Sequence, residues 1–476
     1  MKKYIVNIIL LLPIIGIGQI SFFKSYGGPG NDFGEAVVST ADSHYVAVGA
    51  SESFGNGATD LYAFKVDSLG EYVWSRTFGG PNIDYGTDVV ELDDGSFLLT
   101  GYSNSFSVGY DIFLVKIQSN GSHQWTKNIG GSDWDFCYAA HKTRNSTPGI
   151  ILAGETYSYG NGKSDAYLIK VDNNGDTLWT KTFGGTENDY FKDVIEDEYG
   201  DLICIGTTNS NTTYLDNDLW IVKTDSDGNE LWNYIWSDTL NEEGMSICLA
   251  KNGNYYFAGN NQQTDRVSPY HGCLDLSGNL VFSNNIFGTY DDFSAALLRH
   301  SDSVTYTIIC NTFSFGASNS TSDVLYSQLY ETFTITGLLG TSGTFANEWV
   351  NGADTTADHC IIIVGTTDGT INGQNSAFLM KKDTNHYSPS YTEEIDLAIN
   401  EIRNNKISLY PNPVINQTYI RANSSINEFF IYNTLGELII NKKITGNSIN
   451  LETLKPGIYI LKAKINSEES IKFIKL

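Results

Sequence analysis

The sequence predicts an all-β protein: a seven-bladed β-propeller with four-stranded blades and a ring closed by the N-terminal strand, followed by a small C-terminal β-sandwich. Three observations lead to this prediction. The 476 residues include 46 Gly and 29 Tyr but only 3 Met, which is typical of turn-rich β proteins. A pattern of about 53 residues recurs seven times. The array also begins and ends with partial copies that complete each other.

Three independent markers define the repeat. A Gly ends an apolar strand, an Asp or Ser opens the next strand, and an aromatic residue lies in the strand after that. In chain order the sets are Gly49, Gly101, Gly154, Gly206, Gly259, Asn311 in the sixth place and Gly365; Asp60, Asp111, Asp165, Asp218, Ser268, Asp323 and Ser376; and Trp74, Trp125, Trp179, Trp232 and Phe282. Because all three keep one period, each copy is predicted to be one blade.

Each copy divides into four short strands. In the first copy they are residues 34–40, 45–51, 61–66 and 72–78, which alternate apolar and polar side chains as half-buried antiparallel strands do. Gly-containing turns such as Ser68-Leu69-Gly70 separate them, since Gly adopts a positive φ without steric cost. Four antiparallel strands in every repeat are typical of a propeller blade.

The two ends of the array predict how the ring closes. The seventh copy stops at Asp383 and lacks its fourth strand. Residues 21–26 look like that missing strand, because Phe22 lies five residues before Gly27 as Trp74 lies five before Gly79. Pairing the N-terminal strand with the last blade would remove an open sheet edge.

The N-terminus has the pattern of a signal peptide. Lys2 and Lys3 precede an apolar run over residues 5–17, and Gly18-Gln19 supplies the expected cleavage point. The run is short for a membrane anchor, and no later stretch reaches 18 apolar residues, so no transmembrane segment is expected in the mature chain. The predicted domains are therefore a signal peptide (1–18), a propeller (19–383), a linker (384–403) and a C-terminal module (404–476).

Acidic residues recur at the connection between one blade and the next. They are Asp32, Asp84, Asp135, Asp189, Glu242 and Asp292, with Asn347 in the seventh place. In a propeller this connection leads to the innermost strand, on the same face as the loops that end at Asp60 and its equivalents. Two interpretations stay open: a binding site for Ca²⁺ or a cationic ligand, or carboxylates that accept backbone N–H bonds in their own turns.

Composition limits the partners. The formal net charge is −26, which nearly excludes nucleic acid because phosphate binding needs clustered Lys and Arg. Aromatic residues in or beside the same loops could stack on sugars, or pack between blades; they are Tyr110, Trp134, Tyr159, Tyr190 and Tyr214. The six Cys lack a C-x-x-C pair and are expected to be mainly buried apolar residues, with room for one disulfide. The seven His are scattered, and no catalytic residue or cofactor is assigned beyond possible Ca²⁺.

The C-terminal module changes character, with six or seven short strands predicted between residues 408 and 475. Leu409-Tyr410-Pro411-Asn412-Pro413, Ile431-Tyr432-Asn433-Thr434-Leu435-Gly436, Leu454-Lys455-Pro456-Gly457-Ile458-Tyr459 and Lys472-Phe473-Ile474-Lys475 resemble the type A C-terminal sorting domain of type IX secretion. The motif residues are Pro411, Asn412, Pro413, Gly436, Gly457, Tyr459 and Lys472. The alternative is a small accessory sandwich with no sorting role.

The resemblance implies a Bacteroidetes-type bacterium, export through the periplasm, recognition by the type IX translocon and removal by its sorting peptidase. The mature protein is then expected to be extracellular or on the outer cell surface. The favoured function is a non-catalytic binding or interaction platform for a glycan, cationic or protein ligand. The alternatives are an extracellular glycan hydrolase or lyase that uses carboxylates at the channel mouth, and a structural surface or matrix protein.

Overall fold

The computed structural model describes residues 21–145, 147–210, 216–237, 240–286, 288–300, 305–315, 321–330, 340–344, 346–369 and 373–382, together with separate stretches between 393 and 475. The predicted signal peptide and its cleavage point at Gly18-Gln19 lie outside these residues. No helix in the described part of the chain is long and apolar enough to cross a membrane.

The first part of the chain consists of short strands. In order they are β1 (Phe22–Gly27), β2 (Asp32–Ser39), β3 (Tyr45–Ser51), β4 (Asp60–Val66), β5 (Tyr72–Phe78), β6 (Asp84–Glu91), β7 (Phe97–Ser103), β8 (Asp111–Ile117), β9 (His123–Ile129), β10 (Asp135–Thr143), β11 (Gly149–Thr156), β12 (Asp165–Val171), β13 (Thr177–Phe183), β14 (Asp189–Glu196), β15 (Leu202–Thr208), β16 (Asp218–Thr224), β17 (Glu230–Trp236), β18 (Glu242–Leu249), β19 (Tyr255–Gln262), β20 (Val267–Leu274), β21 (Leu280–Asn285), β22 (Asp292–Arg299), β23 (Thr305–Thr312), β24 (Asp323–Tyr330), β25 (Gly340–Ser342), β26 (Glu348–Thr355), β27 (Ile361–Thr367) and β28 (Ser376–Lys382).

These strands form repeated antiparallel sheets, as expected for a propeller. Consecutive strands build sheet 1 (β2–β5), sheet 2 (β6–β9), sheet 3 (β10–β13), sheet 4 (β14–β17), sheet 5 (β18–β21) and sheet 6 (β22–β25). Sheet 7 consists of β26, β27 and β28, and β1 lies beside β28. The predicted pairing of the N-terminal strand with the last copy is therefore confirmed.

Apolar side chains fill the space between consecutive sheets. Between sheets 1 and 2, Val48 and Leu61 pack with Phe97 and Phe113, all fully or almost fully buried. Equivalent clusters join each later pair of sheets up to sheets 6 and 7. Because each large apolar side chain contributes about 1.5–3 kcal/mol when buried, these clusters are the main stabilisation of the array.

The repeated aromatic residue and the repeated turn Gly form one contact. Trp74 in sheet 1 donates its Nε1–H to the carbonyl oxygen of Ser119 in sheet 2 at 3.2 Å. The same turn contains Gly121, which has a φ of 79°, and a Cβ there would lie 3.0 Å from the Trp74 ring. Gly is therefore required at this position for two reasons: the backbone has a positive φ, and the Trp74 ring leaves no room for a Cβ.

Sheet 7 contacts sheet 1 as neighbouring sheets contact each other. The Asp32 N–H donates to the carbonyl oxygen of Asn375 at 2.9 Å, as the Asp84 N–H donates to the carbonyl oxygen of Thr59 at 2.8 Å. Lys24 in β1 reaches Glu71 of sheet 1 with an Nζ–Oε1 distance of 2.6 Å. The first and last copies are therefore adjacent in space.

Two positions of the repeat were placed wrongly. The seventh acidic place belongs to Glu348, the first residue of β26, because Glu348 pairs with Thr367 as Asp84 pairs with Ser103; Asn347 lies one residue earlier. Cys310 pairs with Ser294, just as Gly101 pairs with Gly86, so the sixth copy has Cys310 and not Asn311 in the Gly place. Asn311 lies one position later in the strand. The six cysteines are free thiols in the structure, and all except half-buried Cys248 are buried.

The described residues divide into two compact units, one that ends at Glu394 and one that begins at Ile395 and also takes in Tyr26–Asn31. The later strands are β29 (Glu393–Asp396), β30 (Ile407–Tyr410), β31 (Gln417–Ala422), β32 (Glu428–Asn433), β33 (Leu438–Lys443), β34 (Ser448–Asn450), β35 (Gly457–Lys464) and β36 (Glu468–Lys475). β30, β31 and β34 form one antiparallel sheet, and β33, β32, β35 and β36 form another.

Candidate functional site

A cavity of about 990 Å³ lies where the first strands of the sheets converge. Residues of β2, β6, β10, β14, β18, β22 and β26 line it, so every sheet contributes its first strand. Three half-buried carboxylates on these strands accept backbone N–H bonds from the next sheet; they are Asp88 (from Ala140, 2.7 Å), Asp193 (from Ile247, 3.0 Å) and Asp354 (from Ser39, 2.8 Å). Burial raises their pKa values to about 7, about 6 and about 6.

The predicted acidic residues occupy the opposite end of these strands. Asp32, Asp84, Asp135, Asp189, Glu242 and Asp292 are the first residues of β2, β6, β10, β14, β18 and β22, and all are fully buried. The Asp84 carboxylate accepts hydrogen bonds from the Gly80 N–H and the Ser105 hydroxyl, both at 2.7 Å, and from the Ser103 hydroxyl. Asp135 and Asp189 repeat this pattern. The hydrogen bonds hold the connection between two sheets.

The two expected sets of acidic residues meet at this connection. A Cβ on Gly79 would lie 2.6 Å from Asp60 Oδ1 and 2.4 Å from Asp84 Oδ2, so both carboxylates flank this Gly. Burial and the neighbouring Asp84 charge raise the pKa of Asp60. Among the described residues, no group of three His, Cys, Asp or Glu is spaced to hold a metal ion.

Sequence reasoning missed a ring of aromatic residues beside the acidic positions. The residue after each acidic one is half-buried or exposed; the set is Phe33, Tyr85, Phe136, Tyr190, Phe293 and Trp349, with Glu243 in the fifth place. Neighbouring rings are close, since the Phe33 and Tyr85 centroids are 6.4 Å apart and those of Phe293 and Trp349 are 5.6 Å apart. The sequence does contain a signal for this set, because an aromatic residue recurs directly after the acidic position with the period of the repeat. We call this set the aromatic ring.

The aromatic surface is widest where sheets 2 and 3 meet. Trp134 contacts Tyr110 and Tyr157 with centroid distances of 5.9 Å, and Phe136 packs against both tyrosines. Trp134 is 48% exposed and Tyr157 is 38% exposed, so each offers part of a ring to solvent. We call Tyr110, Trp134, Phe136 and Tyr157 the aromatic cluster.

The other predicted rim aromatics lie apart from this cluster. Tyr190 belongs to the aromatic ring and contacts Tyr138 with a centroid distance of 6.4 Å. Tyr159 is 45% exposed, and its hydroxyl donates to the Gly130 carbonyl oxygen at 2.9 Å. Tyr214 lies outside the described residues.

A lysine and several glutamates share the space inside the aromatic ring. Lys192 Nζ lies 4.0 Å from the centroid of the Tyr138 ring, in a cation–π contact. Burial lowers the pKa of Lys192, and the charges of Glu243, Glu155 and Glu35 oppose that shift. Burial raises the pKa of Glu35 to about 7. The hydrogen bond from the Tyr85 hydroxyl and the positive charge of Lys192 act in the opposite direction and partly offset this rise.

The C-terminal motif residues are only partly within the described chain. Pro411, Asn412, Pro413 and Gly436 lie outside it. Gly457 and Tyr459 lie in β35, where Gly457 pairs with Lys475, and the Tyr459 hydroxyl donates to the Lys455 carbonyl oxygen at 3.0 Å. Lys472 lies in β36 opposite Ile460. The last two motifs thus form adjacent antiparallel strands.

Comparison with known proteins assigns part of the chain. Over 188 residues, which are 33% of this chain and 19% of its relative's length, the sequence is 25% identical to regulatory protein FlaEY of Caulobacter vibrioides. The fold is similar to the Neurospora crassa Pan2 WD40 domain (TM-score 0.45, 11% identity, 76% of this chain and 91% of that one). It is also similar to PorZ, a surface component of the type IX secretion system of Porphyromonas gingivalis (TM-score 0.33, 11% identity, 96% and 70%).

Residues 408–475 match the family of secretion system C-terminal sorting domains, which is the region where the sequence motifs and the two small sheets lie. The chain therefore ends in a type IX C-terminal sorting domain, and the protein is one of those exported to the cell surface or the extracellular space.

Proposed function

We propose that the protein is an extracellular, non-catalytic binding protein, built as a closed seven-bladed β-propeller over residues 19–383 and presenting its ligand site at the aromatic end of the ring. The observation that carries this proposal is the aromatic cluster, because solvent-exposed rings held by their neighbours are a ready contact surface. The sorting domain at 404–476 would bring this surface outside the cell and then be removed by the sorting peptidase.

Seven blades are supported by the repetition of contacts. The contact between a first strand and the sheet before it occurs between sheets 1 and 2 and again between sheets 7 and 1. One cavity is also lined by a first strand from each sheet. In a closed ring the first and last sheets pack against each other, so neither end of the array is left uncovered. This protects a protein displayed outside the cell from edge-to-edge association.

The ligand chemistry that fits best is a glycan. Sugar rings have an apolar face of C–H groups that stacks on aromatic rings, and a hydroxyl edge that needs hydrogen-bond partners. The Tyr138 hydroxyl and the Glu155 carboxylate are hydrogen-bonded to each other at 3.0 Å within this region. Glu155 is only 7% exposed, so its carboxylate holds the Tyr138 hydroxyl in place beside the stacking surface.

The test is an oligosaccharide array probed with the chain lacking residues 404–476, together with Trp134→Ala and Tyr157→Ala variants. We expect the variants to lose at least ten-fold in affinity, because each removes an exposed ring. The control is Tyr199→Ala, since Tyr199 is 74% exposed and belongs to the turn between β14 and β15. Equal binding by all variants would contradict the proposal, and no binding by the wild-type chain would favour the structural surface protein.

A glycan hydrolase or lyase is the second candidate, and Glu35 favours it. A carboxyl whose pKa is raised to about 7 is partly protonated at neutral pH and can act as a general acid, while ionised carboxylates elsewhere in the ring act as bases. Turnover on a polysaccharide panel that disappears in Glu35→Gln would establish this function. The absence of turnover in the wild-type chain would remove it.

A further inference from the structure

A second cavity, of about 250 Å³, lies on the acidic side of sheets 4, 5 and 6. It is lined mainly by amide and carboxylate side chains together with one aromatic residue; they are Asn217, Asn241, Glu243, Asn260, Gln262, Val267 and Phe293. We call this cavity the amide pocket. Small ligand sites combine a concave shape, an apolar wall and a few convergent polar groups, and the amide pocket has all three.

The repeat explains why this cavity exists. The backbone where sheets 4 and 5 meet is bonded like that of sheets 2 and 3, since the Glu242 N–H donates to the Asn217 carbonyl at 2.7 Å and the Asp135 N–H donates to the Tyr110 carbonyl at 2.6 Å. Likewise the Gln262 N–H donates to the Asn241 carbonyl at 2.8 Å. In sheet 3 the Tyr157 N–H donates to the Trp134 carbonyl at 2.7 Å.

These bonds align the two junctions residue by residue. The four members of the aromatic cluster correspond to four polar residues of the amide pocket: Tyr110 to Asn217, Trp134 to Asn241, Phe136 to Glu243 and Tyr157 to Gln262. Four rings therefore fill the space at one junction, while four shorter polar side chains leave it open at the other. Glu243 is the departure from the repeat on this unchanged backbone, because its place holds an aromatic residue in the other six copies, whereas the place of Asn241 also holds Asn at Asn31, Asn188 and Asn347.

The polar groups of the pocket are held in place by the protein. The Asn241 Oδ1 accepts the Asn217 N–H at 3.1 Å, and the Asn260 Oδ1 accepts the Ser294 N–H at 2.8 Å. Because these oxygens are engaged, the Nδ2 groups of Asn241 and Asn260 are the donors that these two lining residues can offer a ligand. Glu243 supplies acceptor oxygens and Phe293 supplies a flat apolar wall.

Resting on the proposed function, we infer that the amide pocket is a subsite for a single neutral sugar ring. Paired amide donors and a carboxylate acceptor match vicinal hydroxyls, and the Phe293 ring matches the C–H face. The Glu243 carboxylate disfavours a second negative charge, so uronic acids are expected to bind at least ten-fold more weakly than the corresponding neutral sugars.

The experiment exchanges the residues of the two junctions. Gln262→Tyr places in the pocket the residue that sheet 3 has at the equivalent position, and Tyr157→Gln is its reverse at the aromatic cluster. Binding of glucose, galactose, mannose and N-acetylglucosamine, with glucuronate as the charged probe, is measured by saturation-transfer NMR on the full chain. We expect Gln262→Tyr to lose at least ten-fold in monosaccharide affinity and Tyr157→Gln to leave it within two-fold.

Glu243→Gln keeps the size of the side chain and serves as the second variant if Gln262→Tyr does not fold. It is expected to weaken neutral sugars several-fold and to abolish the preference over glucuronate. Monosaccharide affinity unchanged in both variants overturns the subsite, even when oligosaccharide binding is lost in Trp134→Ala and the proposed function holds. Conversely, loss of monosaccharide affinity in Gln262→Tyr together with unchanged oligosaccharide binding in Trp134→Ala and Tyr157→Ala supports the subsite and overturns the aromatic cluster as the principal site. Absence of any sugar binding overturns both.

Discussion

Replacing Gly175 by Ala tests the contact between the repeated Trp and the turn of the next sheet. Gly175 has a φ of 75°, which costs a residue with a side chain about 1–2 kcal/mol. A Cβ there would also lie 2.4 Å from Cη2 and 2.9 Å from Cζ3 of Trp125. Forcing a methyl group into such a packed contact costs a further 1–3 kcal/mol or so. The expected loss in free energy of unfolding is therefore about 2–5 kcal/mol.

Gly95 provides a matched control for the backbone cost. Its φ is 74°, almost equal to that of Gly175, but a Cβ would meet nothing within 4 Å. Gly95→Ala should therefore lose only about 1–2 kcal/mol. The difference between the two variants, about 1–3 kcal/mol, isolates the steric conflict with Trp125.

The assay is guanidinium denaturation of the full chain followed by circular dichroism, which does not depend on the emission of Trp125. A double variant, Gly175→Ala with Trp125→Ala, completes the cycle, because the Ala methyl group then has no ring to meet. In the Trp125→Ala background the Gly175 substitution should cost no more than Gly95→Ala does. A Gly175→Ala variant as stable as Gly95→Ala, or an excess cost that persists without Trp125, would refute the reasoning.

Three further predictions concern pH, metal and export. Burial raises the pKa of Asp88 to about 7, so the stability that the protonated carboxyl contributes below about pH 4 is lost as the pH rises toward 7, on the order of 4 kcal/mol. In Asp88→Asn the free energy of unfolding should fall less over this pH range, as measured by melting at several pH values. An equal fall in the variant and the wild-type chain would contradict this prediction. Because the oxygens of Asp84, Asp135 and Asp189 accept hydrogen bonds within the protein, 1 mM Ca²⁺ or EDTA should leave the melting temperature unchanged, whereas a rise with Ca²⁺ would revive the metal site. Deleting residues 404–476 should retain the protein in the periplasm by cell fractionation, and continued surface display would contradict the sorting role.

The sheets could be predicted because their markers are structural. The Trp74 ring and the Gly121 turn contact each other in adjacent sheets, so the sequence must repeat both at one period. The boundaries were less accurate, since β2 begins at Asp32, two residues before the predicted start. The sixth Gly place was misassigned because only the pairing of Cys310 with Ser294 fixes the register there. Spacing along a chain cannot detect such a one-residue shift.

Six acidic residues begin first strands, as their recurrence predicted, and the seventh place is held by Glu348 instead of Asn347, but the surroundings of these carboxylates could not be predicted. Whether Asp84 faces a ligand or its own turn depends on hydroxyls such as Ser103 and Ser105, some 20 residues away. The aromatic ring was missed because its members differ in type and Glu243 interrupts it. A position that alternates among Phe, Tyr and Trp is harder to recognise as a repeat than a position that nearly always holds Gly, although both recur with the same period.

Repetition and departure from repetition carry different information in this chain. A residue needed at every junction, such as Asp84 with its equivalents, is explained by holding one sheet to the next, and Asp84, Asp135 and Asp189 do so with the same set of hydrogen bonds. A ligand has to bind only once, so its site is expected where the repeat changes on a backbone that does not. Glu243 meets this criterion, because it stands where the other six copies have an aromatic ring, while the bonds around Glu242 and Asn241 stay as in sheet 3. The fifth copy is therefore where substitutions should alter binding without altering the fold.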